Sequence, residues 1–182
     1  MKSSALSFFI LSFFLIYGAH GEANFIAKVC KDLVQADSTM NYAFCMESLQ
    51  AIPKSHKASL RGLGFFSMSL VQKNALRIGR LVQNLLNSQD MKMSDYTKNC
   101  LKDCSELYAD AVDSVKEAVD SFKGRDYDSA NIKMSAAMDA SSTCEDQFKE
   151  GKGSKSPMTE SSKQMFQLSG MALTIINMLH RH

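Results

Sequence analysis

Apolar positions fall in steps of three and four over much of the chain. From Leu101 they are Leu101, Cys104, Tyr108, Ala111, Val115, Ala118 and Phe122, which predicts an amphipathic helix with a narrow bundle-type seam. The next segment repeats the rule at Tyr127, Ala130, Met134, Ala137, Ser141, Cys144 and Phe148. Between them "KGRD", Lys123 to Asp126, is short enough to force the two helices antiparallel. After a "GKGSKSP" break, Pro157 and Thr159 mark the start of a further helix with Met165, Leu168, Ala172, Ile175 and Leu179 on its seam. Upstream, Leu60 to Leu86 reads as one long helix of looser pattern. Its inner side is Leu60, Leu63, Leu70, Ile78, Leu81 and Leu85, weakened locally by Gly62, Gly64 and Gly79.

Four such helices on short connectors predict an all-α, up-down-up-down four-helix bundle over residues 54–182. Before it, Phe25 to Ala36 and Tyr42 to Ile52 are shorter amphipathic pieces joined by "ADSTMN". They predict an N-terminal helical hairpin over residues 22–53, ended by Pro53 and too small to own a core. No run of alternating β-branched residues supports a sheet. Hairpin and bundle together, residues 22–182, read as one domain.

The first residues follow another pattern. Lys2 precedes an apolar run from Leu6 to Tyr17, and "GAHGE" puts Ala19 and Gly21 at the −3 and −1 positions of a signal-peptidase site. Residues 1–21 therefore read as a secretory signal cleaved before Glu22, leaving an exported chain with no membrane segment in its mature form. Losing Lys2 lowers the formal charge from +2 to +1. Nothing in that balance, and no Lys/Arg block, points to nucleic acid.

Five cysteines in an exported chain imply two disulfides and one leftover thiol, which allows about 15 patterns. Spacing narrows them. Cys30 and Cys45 flank the hairpin turn, and a bridge there closes a loop of about 15 residues, worth ~3 kcal/mol by chain entropy. Cys104 and Cys144 lie on the seams of neighbouring helices, each 20 residues from Gly124, so an antiparallel pair brings them level. Cys100 is left over as a free or intermolecularly paired thiol. Its C-x-x-x-C spacing to Cys104 weakly imitates a metal pair, but only His56, His180 and His182 follow the signal and no ligand cluster accompanies them.

Catalytic signatures are missing: there is no G-x-S-x-G, P-loop or H-E-x-x-H. "GLGFFS" at Gly62 to Ser67 begins like a dinucleotide fingerprint but lacks its third glycine, and it reads as a close-packing spot. His56, in "PKSHK", reads as a surface residue of an exposed helix entry. Methionines and phenylalanines fall mostly on the seams, so they read as core, with a small-ligand-binding bundle interior as the competing account. Glu106, Asp110, Asp113, Glu117 and Asp120 form an acidic stripe, while residues 54–89 carry Lys54, Lys57, Arg61, Lys73, Arg77 and Arg80 and no acid. These are solvated faces, helices pairing side by side, or a partner-docking surface.

Certain strings in combination resemble a known family. They are Cys30 with "NYAFC", "LKDCSELYADAVDSVKEA" at Leu101 to Ala118, "SAAMDASSTCEDQF" at Ser135 to Phe148, and "SPMT" with "QLSGMALTIINML" toward the end. They resemble the plant invertase and pectin methylesterase inhibitor family, and most of all its pollen members described as invertase inhibitors. The resemblance implies a four-helix bundle with an N-terminal hairpin and bridges Cys30–Cys45 and Cys104–Cys144. It implies a protein that is not an enzyme, uses no cofactor and no metal, and is secreted to the cell wall or vacuole. It implies a one-to-one complex with an acid invertase (β-fructofuranosidase), or alternatively a pectin methylesterase, whose cleft is blocked more tightly at acidic pH. Some invertase inhibitors of the family carry Pro-Lys-Phe between the second and third bundle helices. Here Tyr127, Asp128 and Ser129 stand in about that place; the tripeptide is missing and its lysine contact does not carry over, and the candidate target-contact loop is Arg125, Asp126, Tyr127 and Asp128.

Overall fold

Helix starts are set by single polar side chains. Asn41, Ser59, Ser94 and Asp126 each accept a hydrogen bond from the backbone N–H three residues on, at 3.0–3.2 Å. Each satisfies a donor that a helix start leaves free. The computed structural model describes residues 25–88, 93–151 and 155–181. Residues 1–21, read as a signal, and His182 lie outside the described residues.

The elements are α1 (25–36), α2 (Tyr42–Gln50), a 3₁₀ turn (Pro53–Lys57), α3 (Leu60–Asn87), α4 (Asp95–Lys123), α5 (Tyr127–Glu150) and α6 (Thr159–His180). Helices α3 to α6 pack in a ring, each against its chain neighbours and α6 against α3, which is the up-down-up-down bundle. All seven seam residues of α4 are buried, from Leu101 to Phe122. On α5 the seam is buried from Ala130 to Phe148, with Tyr127 half-buried at its end.

The reading of α3 needs correction. Its buried line is Leu63, Met68, Val71, Ala75, Ile78 and Val82, with Gly64, Ser67 and Asn74 among them. Leu60, Leu70, Leu81 and Leu85 are half-buried flanks. Small and polar residues occupy true seam positions here, so a search for leucines follows the edge of the stripe. "PKSHK" also differs from an exposed helix entry. Ser55 is fully buried, its hydroxyl donating to the carbonyls of Leu49 (2.6 Å) and Ile52 (2.7 Å), and His56 is half-buried.

The hairpin shares the bundle's core. Ile26, Val29, Leu33, Met40 and Leu49 belong to the same buried cluster as the four helices. Gln167 of α6 clasps the hairpin turn from both sides: its carbonyl accepts from Asn41 N (2.9 Å) and its amide donates to Thr39 O (2.8 Å). Met40 lies directly over Gly170, where a β-carbon would strike its sulfur.

Cys30 is bonded to Cys45 and Cys104 to Cys144, with Cα–Cα distances of 5.7 and 5.2 Å. Cys100 is a free thiol, only 5% exposed, so pairing with another chain would require opening the bundle. Beside the second bridge runs a polar network. The Glu145 carboxylate accepts from the hydroxyls of Ser156 (2.6 Å), Thr159 (2.8 Å) and Ser162 (2.9 Å). Ser162 also meets the Tyr108 hydroxyl at 2.9 Å. Met158 offers α6 no side-chain cap; Glu145 instead reaches across from α5 to hydroxyls at and before the start of α6, and its charge suits the positive end of the helix dipole.

Burial raises the Tyr108 phenol from 10.0 to about 12, the Ser162 hydrogen bond opposing and the Glu145 charge reinforcing the rise. A raised acid pKa favours the neutral form in the folded state. The contribution of Tyr108 is therefore complete below pH 10 and lost as pH climbs through about 12. Phenolate absorbance during an alkaline titration should show a step near pH 12 that Tyr108→Phe removes; a Tyr108→Phe titration that keeps this late step and loses an earlier one would refute the assignment. Cys144→Ser should lower stability by up to ~4 kcal/mol, read from denaturant unfolding, because the unfolded chain loses its longest covalent loop.

Candidate functional site

The candidate loop is one rigid turn at the tip where α4 meets α5. Gly124 N donates to Asp120 O (3.1 Å), Arg125 N to Phe122 O (3.2 Å) and Asp126 N to Ser121 O (3.0 Å). The last of these spans five residues, the signature of a Schellman ending. Such an ending requires a left-handed residue, usually glycine. Here Gly124 is right-handed at φ −73°, and Arg125 takes the left-handed place at φ 63°. That conformation costs a side-chain-bearing residue ~1–2 kcal/mol.

Each remaining residue of the turn is fastened. Asp126 caps α5, and hydrogen bonds from the Ser129 side chain and backbone hold its carboxyl below the ordinary 3.8. Tyr127 stands edge-on to Phe122 at 5.5 Å, and Phe65 meets the same ring at 4.8 Å. Asp128 lies 3.5 Å from His180 Nε2, a pair that is ionic only when the imidazole is protonated. Lys123 is paired with Asp120 at 2.8 Å. Among the described ion pairs none includes Arg125, which is exposed.

Arg61 of α3 supports the turn from below. Its Nη2 donates to Phe122 O (3.2 Å) and Lys123 O (2.8 Å), ending α4, while the guanidinium lies 5.4 and 5.8 Å from the Phe65 and Phe122 ring centres. Gly64 makes this possible: a β-carbon there would come within 2.7 Å of Phe122 Cζ. "GLGFFS" is thus a close-packing spot under the tip. Arg61, Phe65 and His180 were not legible as parts of the site, since they lie about 50–65 residues away in sequence and periodicity says nothing about which helix ends meet.

The acidic stripe does not pair with the basic residues of α3. Asp113 is bound to Lys116 (2.6 Å) on its own helix, and Glu117 to Lys133 of α5 (2.5 Å). Among the described residues no group of three or more His, Cys, Asp or Glu is placed to hold a metal ion, and no helix is long and apolar enough to cross a membrane.

The family model described as "Plant invertase/pectin methylesterase inhibitor" matches residues 24–175. A Platanus orientalis protein named "Putative invertase inhibitor" is 45% identical over 174 residues, covering 96% of this chain and 98% of the relative. A "Pectinesterase inhibitor" of Actinidia deliciosa is 32% identical over 159 residues, covering 87% and 80%. Among solved structures, a mutant form of a pectin methylesterase inhibitor from Arabidopsis superposes with a TM-score of 0.65 at 28% identity, covering 76% of this chain and 89% of that one.

Arg125→Gly should raise stability by ~1 kcal/mol, because glycine adopts the left-handed conformation without strain. Thermal melting checks this. A variant that melts lower would mean that the guanidinium makes a stabilising contact outweighing the strain.

Proposed function

The chain belongs to the plant invertase/pectin methylesterase inhibitor family, a family of protein inhibitors and not of enzymes, and on that premise we propose that it inhibits a plant acid invertase. The near-full-length match to the Platanus protein carries the choice of invertase. Pectin methylesterase is the second reading, favoured by the Actinidia relative and the Arabidopsis structure. In this reading residues 1–21 are removed on export, and the protein acts in the cell wall or vacuole as a one-to-one complex with its target.

Arg125, Asp126, Tyr127 and Asp128 form the contact loop. Glycoside hydrolases act through paired carboxylates in a cleft. An exposed guanidinium without an acidic partner of its own, held on a strained and immobile turn, is complementary to such a cleft. Because the turn is already ordered, little entropy remains to be lost on binding.

Purified, oxidised protein titrated against an acid invertase and a pectin methylesterase at about pH 5 and about pH 7 tests the proposal. Near-stoichiometric loss of invertase activity is expected, tighter at the lower pH, and Arg125→Ala should weaken it by about tenfold or more. Inhibition of pectin methylesterase alone would transfer the function to the second reading. Inhibition of neither enzyme at micromolar excess would sink both.

A further inference from the structure

A groove of about 400 Å³ runs along the flank of the bundle between α3 and α4, away from the α4–α5 turn. Sites for small molecules fall in this range of volume. Ala75, Leu76, Gly79, Ala109 and Val112 are its apolar lining.

Gly79 is the informative residue. Glycine weakens a helix interior, and elsewhere in this protein it is matched to close packing, with Gly64 under Phe122 and Gly170 under Met40. At Gly79 nothing among the described residues lies within 4 Å of where a β-carbon would stand. The missing side chain makes room for none of them; its effect is to keep the groove open. Leu76, one turn before it, is 43% exposed beside that opening.

The groove's charge is equally specific. Arg80 is the charged residue lining it, exposed and in none of the described ion pairs. Helix α3 contains no acidic residue along its whole length. Among the lining residues the Gln83 amide donates to Ser105 Oγ at 2.6 Å, joining α3 to α4 across the groove. On the outer face of α4, exposed Glu106, Asp110 and Asp113 would repel a polyanion or an acidic segment but leave a single carboxylate on the α3 side.

We propose that this groove binds a small monocarboxylate with an apolar body, its carboxylate on Arg80 and its body over Gly79. The site stands independently of which enzyme the protein inhibits.

Hydrocinnamate and its uncharged twin, hydrocinnamyl alcohol, serve as probes of the oxidised protein, with binding followed by titration calorimetry and ligand-observed NMR. The acid should bind saturably and at least about tenfold more tightly than the alcohol, the difference a charge-assisted hydrogen bond supplies. Arg80→Gln should abolish that difference. Gly79→Leu, which fills the groove, should block both probes without lowering the melting temperature. The proposal is overturned if the acid shows no saturable binding, if acid and alcohol bind alike, or if folded Gly79→Leu binds undiminished. The exposed Arg80→Gln substitution keeps the test decisive should Gly79→Leu fail to fold.

Discussion

Everything in this fold is referred to the contact between α4 and α5. Ala130, Ala137, Ala140, Ser141 and Cys144 put small side chains among the buried positions of α5, and α4 offers Cys104, Ala111 and Ala118 among its own. Two backbones can then approach closely enough for a disulfide with 5.2 Å between its α-carbons. Once Cys104 and Cys144 are joined, the register of the pair is set. The register in turn places Glu145 over the start of α6, and Tyr108 against Ser162.

The two ends of the α4–α5 pair are held in different ways. Near the bridge, the structure uses half-buried hydrogen bonds on one carboxylate and the buried Tyr108–Ser162 bond, which join three helices at a single point. At the turn it uses aromatic packing and a cation: Phe122 is enclosed by Phe65, Tyr127 and Arg61, while Arg61 also ends α4. The strain at Arg125 persists because these neighbours over-determine the backbone around it.

The flank and the tip obey opposite rules. At the tip Gly64 and the aromatic rings are pressed by their neighbours, and the Arg125 charge, in none of the described ion pairs, is presented outward. Along α3 and α4 a glycine stands over open space, and the nearby cation faces an apolar trough. Packing alone accounts for the first arrangement and gives no reason for the second.

Much of this was written in the chain. The seams of α4 and α5 are complete in the sequence because a three-four alternation, sustained for seven positions, has one structural solution in water. The short "KGRD" connection dictates antiparallel neighbours, and with them the level placing of Cys104 and Cys144. The inner face of α3 was legible only at Leu63 and Ile78, since Gly64, Ser67 and Asn74 occupy core positions that only the surrounding helices make acceptable. Nor was the left-handed place of Arg125, because Gly124 beside it is the residue that propensity would choose. Local pattern thus determined which residues turn inward on each helix. Tertiary structure alone decided which helix ends meet, because Arg61, Phe122 and His180 come together through packing among helices far apart in sequence. That convergence turns a four-residue connector into a fixed, charged surface.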